Sequence, residues 1–408
     1  MCVEEIARFA KIKGLNLVGT GDFTHPKWLK ELEENLIPES DTSLYKTAKN
    51  PEFPVYFMIT TEVSTIFTFE NDVKKIHHVI LTPSIETAIQ INDRLAKYGN
   101  LAVDGRPTLS LDAPHLVEEV MQVSRENMIF PAHAWTPWFS IFGAFSGFNS
   151  IEECYRDMTK HIHALETGLS SDPPMNWRLS KLDKFALVSN SDSHSFWPWR
   201  IGREANVFDL EKLCYREVMD AIRFKDKEKF KFTIETDPSY GKYHWTGHRN
   251  CHVALSSQEA IKLGNVCPVC RRKLTKGVEQ RVEELADRPA GFRPKEAIGF
   301  VHLLPLSEII ATVLGVNSPS TQQIWSIYNV LVEKFGDEYS VLLDISKEML
   351  STVVDARIAE AIIRVREEQV KVVPGYDGVY GQLVIFDKQD AENISPQRVQ
   401  QMNLTDFM

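Results

Sequence analysis

Two sets of potential metal ligands, different in kind, lie between Asp192 and Cys270. In the later set, His248 and Cys251 are separated by two residues, fifteen residues follow, and Cys267 and Cys270 are again separated by two. Each pair is short enough for one turn to aim two donors at a single point, which is what tetrahedral zinc requires. Four protein ligands close the coordination sphere, so this zinc is expected to hold a fold together rather than to react. The earlier set, Ser191-Asp192-Ser193-His194, alternates a carboxylate and an imidazole. At strand spacing both side chains share one face, where they are expected to grip a catalytic ion. A catalytic platform followed directly by a small zinc module fits an enzyme that holds a large substrate.

Further candidates come from the residues that follow short apolar runs: Asp22 and His25, Glu62, His77 or His78, and His133. With Asp192 and His194 they form a mixed imidazole and carboxylate set. Such a set favours zinc or manganese over magnesium, and a bridging carboxylate such as Glu62 can hold two ions about 3.5–4 Å apart. Paired ions of that kind activate water and stabilise the leaving oxygen of a phosphoester. A single loop histidine is more often a polar surface or core group than a ligand. His115, His161, His163, His244, His252 and His302 are left in that class.

The elements that must position these residues follow from periodicity. Helices are expected at Glu4–Ala10, Thr87–Tyr98 and Ala113–Glu126. Apolar strands are expected at Gly14–Gly19, Val55–Thr61, His77–Leu81, Met128–Pro131, His163–Thr167 and Phe185–Ser189. Strands alternating with helices, each ending in a loop that carries His, Asp or Glu, predict an α/β fold, a parallel barrel with its site at the strand ends. Residues 1–235 form this part. Residues 236–290 form the zinc module, and 291–386 a helical region with a short terminal strand, Gln382–Phe386. Its helices are expected at Leu306–Leu314, Ser320–Phe335, Ile345–Val353 and Ala356–Val370. The last segment, 387–408, is polar and expected to be loose.

The chain has 408 residues and a formal net charge of −10, which argues against general polyanion binding. Its distribution matters more. From Gly241 to Arg281 eight Lys or Arg stand against two Glu, a local excess of six positive charges. Arg271 and Arg272 are the natural phosphate contacts of that patch. No apolar run of membrane length and no signal pattern appears, so a cytoplasmic protein that avoids membranes is expected. Six cysteines suit that compartment, with Cys2, Cys154 and Cys214 unpaired.

The series Gly19-Thr-Gly-Asp22, Thr61-Glu62, Ile76-His77-His78, Pro131-Ala-His133 and Ser191-Asp192-Ser193-His194 resembles the polymerase-and-histidinol-phosphatase (PHP) superfamily of metal-dependent phosphoesterases. More narrowly, six further stretches resemble the endonuclease Q family. These are Gly19–Trp28, Glu166-Thr-Gly-Leu-Ser-Ser171-Asp172, Gly247-His-Arg-Asn-Cys251, Cys267-Pro-Val-Cys270, Arg281–Pro289 and Gly375-Tyr-Asp-Gly-Val-Tyr-Gly381. The resemblance runs from about residue 5 to 386. It implies a distorted (β/α) barrel with up to three metal ions, and a DNA repair hydrolase. Such an enzyme cuts 5′ to deaminated bases (uracil, hypoxanthine, xanthine) and abasic sites in duplex DNA. By analogy a sliding clamp is a further partner, and the protein acts as a monomer.

Carried over residue by residue, the resemblance implies that Asp22, His25, Glu62, His77 or His78, His133, Asp192 and His194 hold zinc, manganese or magnesium. Glu62, His133, Asp192 and His194 carry the reaction. Glu166 is a ligand or a substrate-positioning group, Trp135 and Phe139 are candidates to stack on an extruded base, and Ser170 and Ser171 are candidates to read its edge. The superfamily places a His-x-His strand ahead of the first helix, and this sequence has no His before His25. The expectation is therefore an N-terminally truncated member whose barrel lacks its first strand, with two imidazoles fewer and weaker activity. The rival readings are a PHP phosphatase of small phosphate esters and a DNA-binding protein without catalysis. The basic zinc module, needless for a small substrate, counts against the phosphatase.

Overall fold

The computed structural model describes residues 2–386; the tail at 387–408 lies outside the described residues. The chain opens with helix Val3–Lys13, which turns Val3, Ile6, Ala7 and Ala10 inward. It stops at Gly14, whose φ of 99° lets its N–H return to the Ala10 and Lys11 carbonyls. The chain then enters strand Leu17–Gly19, which runs parallel to Tyr56–Met58.

Strand Tyr56–Phe69 is the spine of a seven-stranded sheet. Its partner Asp72–Thr82 follows after only Glu70 and Asn71, both with positive φ (48° and 71°). Two such residues suit a tight hairpin turn, whereas a parallel connection needs a crossover of a dozen residues or more. The parallel barrel expected from the alternation of elements is thus corrected to a mixed sheet. Tyr56–Phe69 with Asp72–Thr82, and Asp72–Thr82 with Met128–Pro131, are antiparallel. An additional antiparallel pair, Leu36–Glu39 with Leu44–Thr47, extends the edge and carries no strong apolar alternation to announce it.

Beyond this sheet the wall continues in shorter pieces. Ala164–Glu166 runs parallel to Ala186–Val188, and Phe230–Glu235 lies between Ala205–Phe208 and Gly299–His302. Single hydrogen bonds stitch the pieces together: Ala134 N–H to the Glu166 carbonyl, Thr167 N–H to the Val188 carbonyl, and the Ser189 hydroxyl to the Ile234 carbonyl. The segments carrying His133, Glu166 and Asn190 therefore end side by side. Helices Ile85–Leu95 and Ala113–Val123, each started by a side-chain cap (Ser84, Asp112), pack their apolar faces on the main core.

The C-terminal helices Leu306–Leu314, Gln322–Phe335, Glu338–Leu343, Lys347–Ser351 and Ala356–Arg366 enclose a second core around Ile309, Tyr328, Leu331 and Ile362. Glu338–Leu343 escaped the sequence reading because it is under two turns long. Between Lys347–Ser351 and Ala356–Arg366, Asp355 accepts the Arg357 N–H at 2.8 Å. Its own carboxylate thus takes a donor that a phosphate clamp would offer. Several contacts fasten these helices to the first part, among them the Arg203–Glu308 pair at 2.6 Å. Lys13 pairs with Glu338 at 2.7 Å, fully buried, and Trp325 packs against Trp197 and Trp199. No helix among the described residues is long and apolar enough to cross a membrane.

Candidate metal centres

Glu62 lies on the spine strand and His77 on its hairpin partner, with Ser64 opposite His77 in register. His133 follows strand Met128–Pro131 with a φ of 26°. The three converge: Glu62 Oε1 is 3.0 Å from His77 Nδ1 and 3.2 Å from His133 Nε2, and the two ring nitrogens are 3.0 Å apart. One donor atom from each lies within 4.8 Å of the others, so the set fits a single divalent ion. Burial would raise the Glu62 carboxyl, but the two imidazoles and Arg106 hold it well below the usual carboxylate range. Burial lowers His77 and opposes the shift of His133, which Glu62 nevertheless raises.

A further layer holds His133 in place. Its Nδ1 is 3.0 Å from the Thr136 hydroxyl, and its backbone N–H donates to Glu166 Oε2 at 2.7 Å. Asn190 donates to the other Glu166 oxygen at 2.8 Å. Burial pushes the Glu166 carboxyl up to about 7. Glu166 therefore acts here as a support under His133. Gly168 has a φ of 61°, and a Cβ there would fall 2.7 Å from the His133 Cβ. Only glycine allows that approach.

Of the doublet, His77 faces this cluster and His78 does not. His78 is fully buried, with Nε2 2.9 Å from the Thr65 hydroxyl and Nδ1 2.8 Å from the Tyr155 hydroxyl. Both its nitrogens are occupied, and it is withdrawn as a ligand. Asp192 and His194 are not on a strand: Ala186–Val188 has ended, and Asp192 sits in the following loop with a φ of 45°. Asp192 is drawn to the cluster through Arg106, whose Nη2 lies 2.6 Å from Asp192 Oδ1 and whose Nε lies 2.6 Å from Glu62 Oε1. His194 turns away; its side chain is 70% exposed and its Nδ1 is 3.0 Å from the Asp192 carbonyl. Asp22 lies within the electrostatic reach of Arg106, Glu62, His194 and His25, at the rim rather than in the cluster. His25 stands at the N-terminus of helix Pro26–Asn35.

The candidate base contacts divide similarly. Trp135 is buried and donates to Asn176 at 2.8 Å, so it is core rather than a stacking platform. Ser171 is buried and spends its hydroxyl on the Thr167 carbonyl. Ser170 is half-buried, and Phe139 packs over the His77 ring at 4.9 Å. The aromatic pair that does face solvent on this loop is Trp138 and Phe145, stacked at 5.0 Å. Arg106, Thr136 and Asn190 were missed by the sequence reading. Each lies in a loop without periodicity; Arg106 and Asn190 take their meaning from partners far along the chain, and Thr136 from the conformation of His133 three residues before it.

The second centre is built on two turns. Thr246–His248 pairs with Val253–Leu255, and the intervening turn carries Cys251. In the other turn Cys267 N–H donates to Arg272 and Arg271 N–H returns to Cys267. Donors of His248, Cys251, Cys267 and Cys270 all lie within 4.8 Å of one another, and the Cys270 sulfur is 3.3 Å from His248 Nδ1. Three thiols and one imidazole suit zinc. The turn Gly375–Gly381 clasps this module. Trp245 N–H donates to the Gly375 carbonyl, Arg249 N–H donates to Asp377, and Tyr376 lies against Gly247, where a Cβ would fall 2.5 Å from its ring. Of the basic patch, Arg271, Arg272 and Lys273 are exposed, while Lys276 pairs with Glu284 and Arg281 with the loop carbonyls of Phe142 and Phe148.

The crystal structure of the lesion-specific endonuclease PfuEndoQ from Pyrococcus furiosus superposes with a TM-score of 0.83 at 33% identity, over 97% of this chain and 94% of that one. The chain belongs to the endonuclease Q family. Endonuclease Q bound to a 27-mer duplex with an abasic lesion at its active site also matches, at 33% identity and a TM-score of 0.83, over 97% of this chain and 95% of that one. The MJ0043 C-terminal domain model matches residues 305–369, the helical region. Uncharacterised protein MJ0043 of Methanocaldococcus jannaschii is 32% identical over 64% of this chain, which spans about a third (32%) of that protein's length. Uncharacterised protein YqxK of Bacillus subtilis is 27% identical over 91% of this chain and 89% of its own.

Proposed function

We propose that this endonuclease Q family member is a metal-dependent DNA repair hydrolase that cuts the phosphodiester 5′ to deaminated bases and abasic sites. The observation that carries this reading is the likeness, over almost the whole chain, to an enzyme bound to a duplex with an abasic lesion at its active site. The Glu62, His77 and His133 cluster supplies the donor set that such chemistry needs. A divalent ion of zinc, manganese or magnesium there would bring Lewis-acid chemistry of the kind that cleaves phosphoesters. Glu62 contributes the anionic donor, His77 and His133 contribute imidazole nitrogens, and Thr136 and Glu166 hold His133 in place. Asp192, paired with Arg106, and Asp22, within electrostatic reach of Arg106, Glu62, His194 and His25, are the further groups this reading assigns to the site.

The remaining assignments belong to the same proposal. The mixed sheets are read as a distorted PHP-type (β/α) barrel, with the zinc module and the helical region as separate units. Arg271 and Arg272, exposed beside the cysteine turn, are the phosphate contacts this reading assigns. A cytoplasmic location and a sliding-clamp partner rest on the family resemblance. The deciding assay uses a labelled duplex with one uracil, hypoxanthine or abasic site. Cleavage is expected 5′ to the lesion, with a requirement for divalent metal, and none on the undamaged duplex. Asp192→Asn should abolish cleavage and leave duplex binding intact, since the zinc module and helices are untouched. Hydrolysis of small phosphomonoesters with no response to the lesion would replace this reading with the phosphatase.

A further inference from the structure

We propose that Arg106 grips the phosphodiester at the linkage to be cut. The inference rests on the endonuclease reading and adds a substrate contact that neither the motifs nor the cluster of ligands contains. Arg106 lies between helix Ile85–Leu95 and strand Thr108–Leu109, and the loop is pinned beside the site. The Pro107 carbonyl accepts the Ser64 N–H at 2.9 Å, and Ser64 stands two residues from Glu62 on the spine strand. The side chain therefore has little freedom to leave. Its guanidinium lies 2.6 Å from both Glu62 Oε1 and Asp192 Oδ1, carboxylates from segments 130 residues apart in sequence.

The pairing leaves donors over. Only Nη2 is aligned as a hydrogen-bond donor, to Asp192. Nε is close to Glu62 but has no aligned partner, and among the described residues Nη1 donates to no protein group. Nε is buried against Glu62, while the side chain as a whole is 22% exposed, so the part that reaches solvent is the Nη end of the fork. Guanidinium is always charged and presents a planar fork that matches phosphate oxygens. The setting gives that charge a purpose. Glu62, Asp192 and Asp22 all lie within electrostatic reach of Arg106, and a cation fixed beside them favours the approach of a phosphodiester anion. Arg106 is the fixed cation among them, with one face on the carboxylates and the other free for a non-bridging oxygen. A residue that served only as counter-ion to Glu62 and Asp192 would have no need of an unused, solvent-facing edge.

The two roles separate in a binding cycle. Wild type, Arg106→Ala and Arg106→Lys are compared by fluorescence anisotropy on two abasic duplexes, one native and one with a neutral methylphosphonate at the linkage 5′ to the lesion. No divalent metal or chelator is added, and gels verify that the probe stays intact. Wild type should lose about tenfold in affinity when the phosphate is neutralised. Arg106→Ala should lose a similar factor on the native duplex and nothing more on the neutral one, with Arg106→Lys in between, since it keeps the charge without the fork. Equal losses on both duplexes for Arg106→Ala would overturn the contact, and an Arg106→Lys that discriminates between the duplexes as wild type does would leave only a counter-ion. Should Arg106→Ala fail to fold, as judged by circular dichroism, the comparison with Arg106→Lys decides alone: discrimination equal to wild type would reject the fork contact. Wild type that binds the lesion duplex no better than an undamaged one would instead reject the endonuclease reading, a result distinct from additivity in the cycle.

Discussion

Replacing Cys267 by Ala should unfold the zinc module and leave the rest of the protein standing. The module's own core is small: Val253, Ala260, Cys267 and Leu274, with Cys251 and Leu255 packed beside them. Burying Val253 and Leu274 contributes roughly 1.5–3 kcal/mol each. A structural zinc in a module of this kind contributes roughly 10–16 kcal/mol, so ligation outweighs packing by a wide margin. The loss should stop at helix Val278–Leu285, because Val278 and Val282 belong to the main core. Arg281 also ties that helix to Phe142, Phe148 and Asn149. Hydrogen exchange is the assay. Amides in 246–275 should lose protection in Cys267→Ala, those in 278–285 should keep it, and metal analysis should show one zinc fewer. Duplex affinity should fall with the module, since Arg271 and Arg272 lose their platform. Full protection of 246–275 without zinc would show that packing suffices and that the four residues are not a structural site. Collapse of the whole protein would refute the boundary at Val278.

Three further outcomes are expected. Arg271→Ala with Arg272→Ala should reduce the slope of log affinity against log salt by about 2, read from binding titrations at several salt concentrations. Lys13→Met should cost about 3–5 kcal/mol in urea unfolding, because it strands Glu338 as a buried charge; adding Glu338→Gln should recover much of that. Glu235 is buried against Thr167 and Thr233 and pushed up to about 7, mainly by burial, from an ordinary 4.5. Between those values the folded carboxyl keeps a proton that the unfolded chain has released, so stability should fall as pH rises from 4.5 to 7. Glu204, buried and pushed up as well by burial and by Glu235, adds to the fall in the same direction, so Glu235→Gln should lessen it in denaturation midpoints measured across that range.

What the sequence determined on its own was local. Two ligands separated by two residues meet on one turn whatever the fold around them, so His248, Cys251, Cys267 and Cys270 were legible from their spacing alone. The helices Leu306–Leu314 and Gln322–Phe335 were legible for a similar reason, since the apolar spacing that buries them is written within a few turns. Tertiary structure decided the rest. In a strand the two histidines at 77 and 78 must face opposite ways, and only the register with Tyr56–Phe69 settles that His77 meets Glu62 while His78 enters the core. Glu70-Asn71 made a hairpin where alternating elements had suggested a crossover. Arg106 had no signature at all: it acquires a role only because packing brings Glu62 and Asp192 to either side of it. Arg106, Asn190 and Asp192 lie in loops whose residues carry no periodicity, and long-range packing alone sets their distances to the strand residues Glu62 and His77.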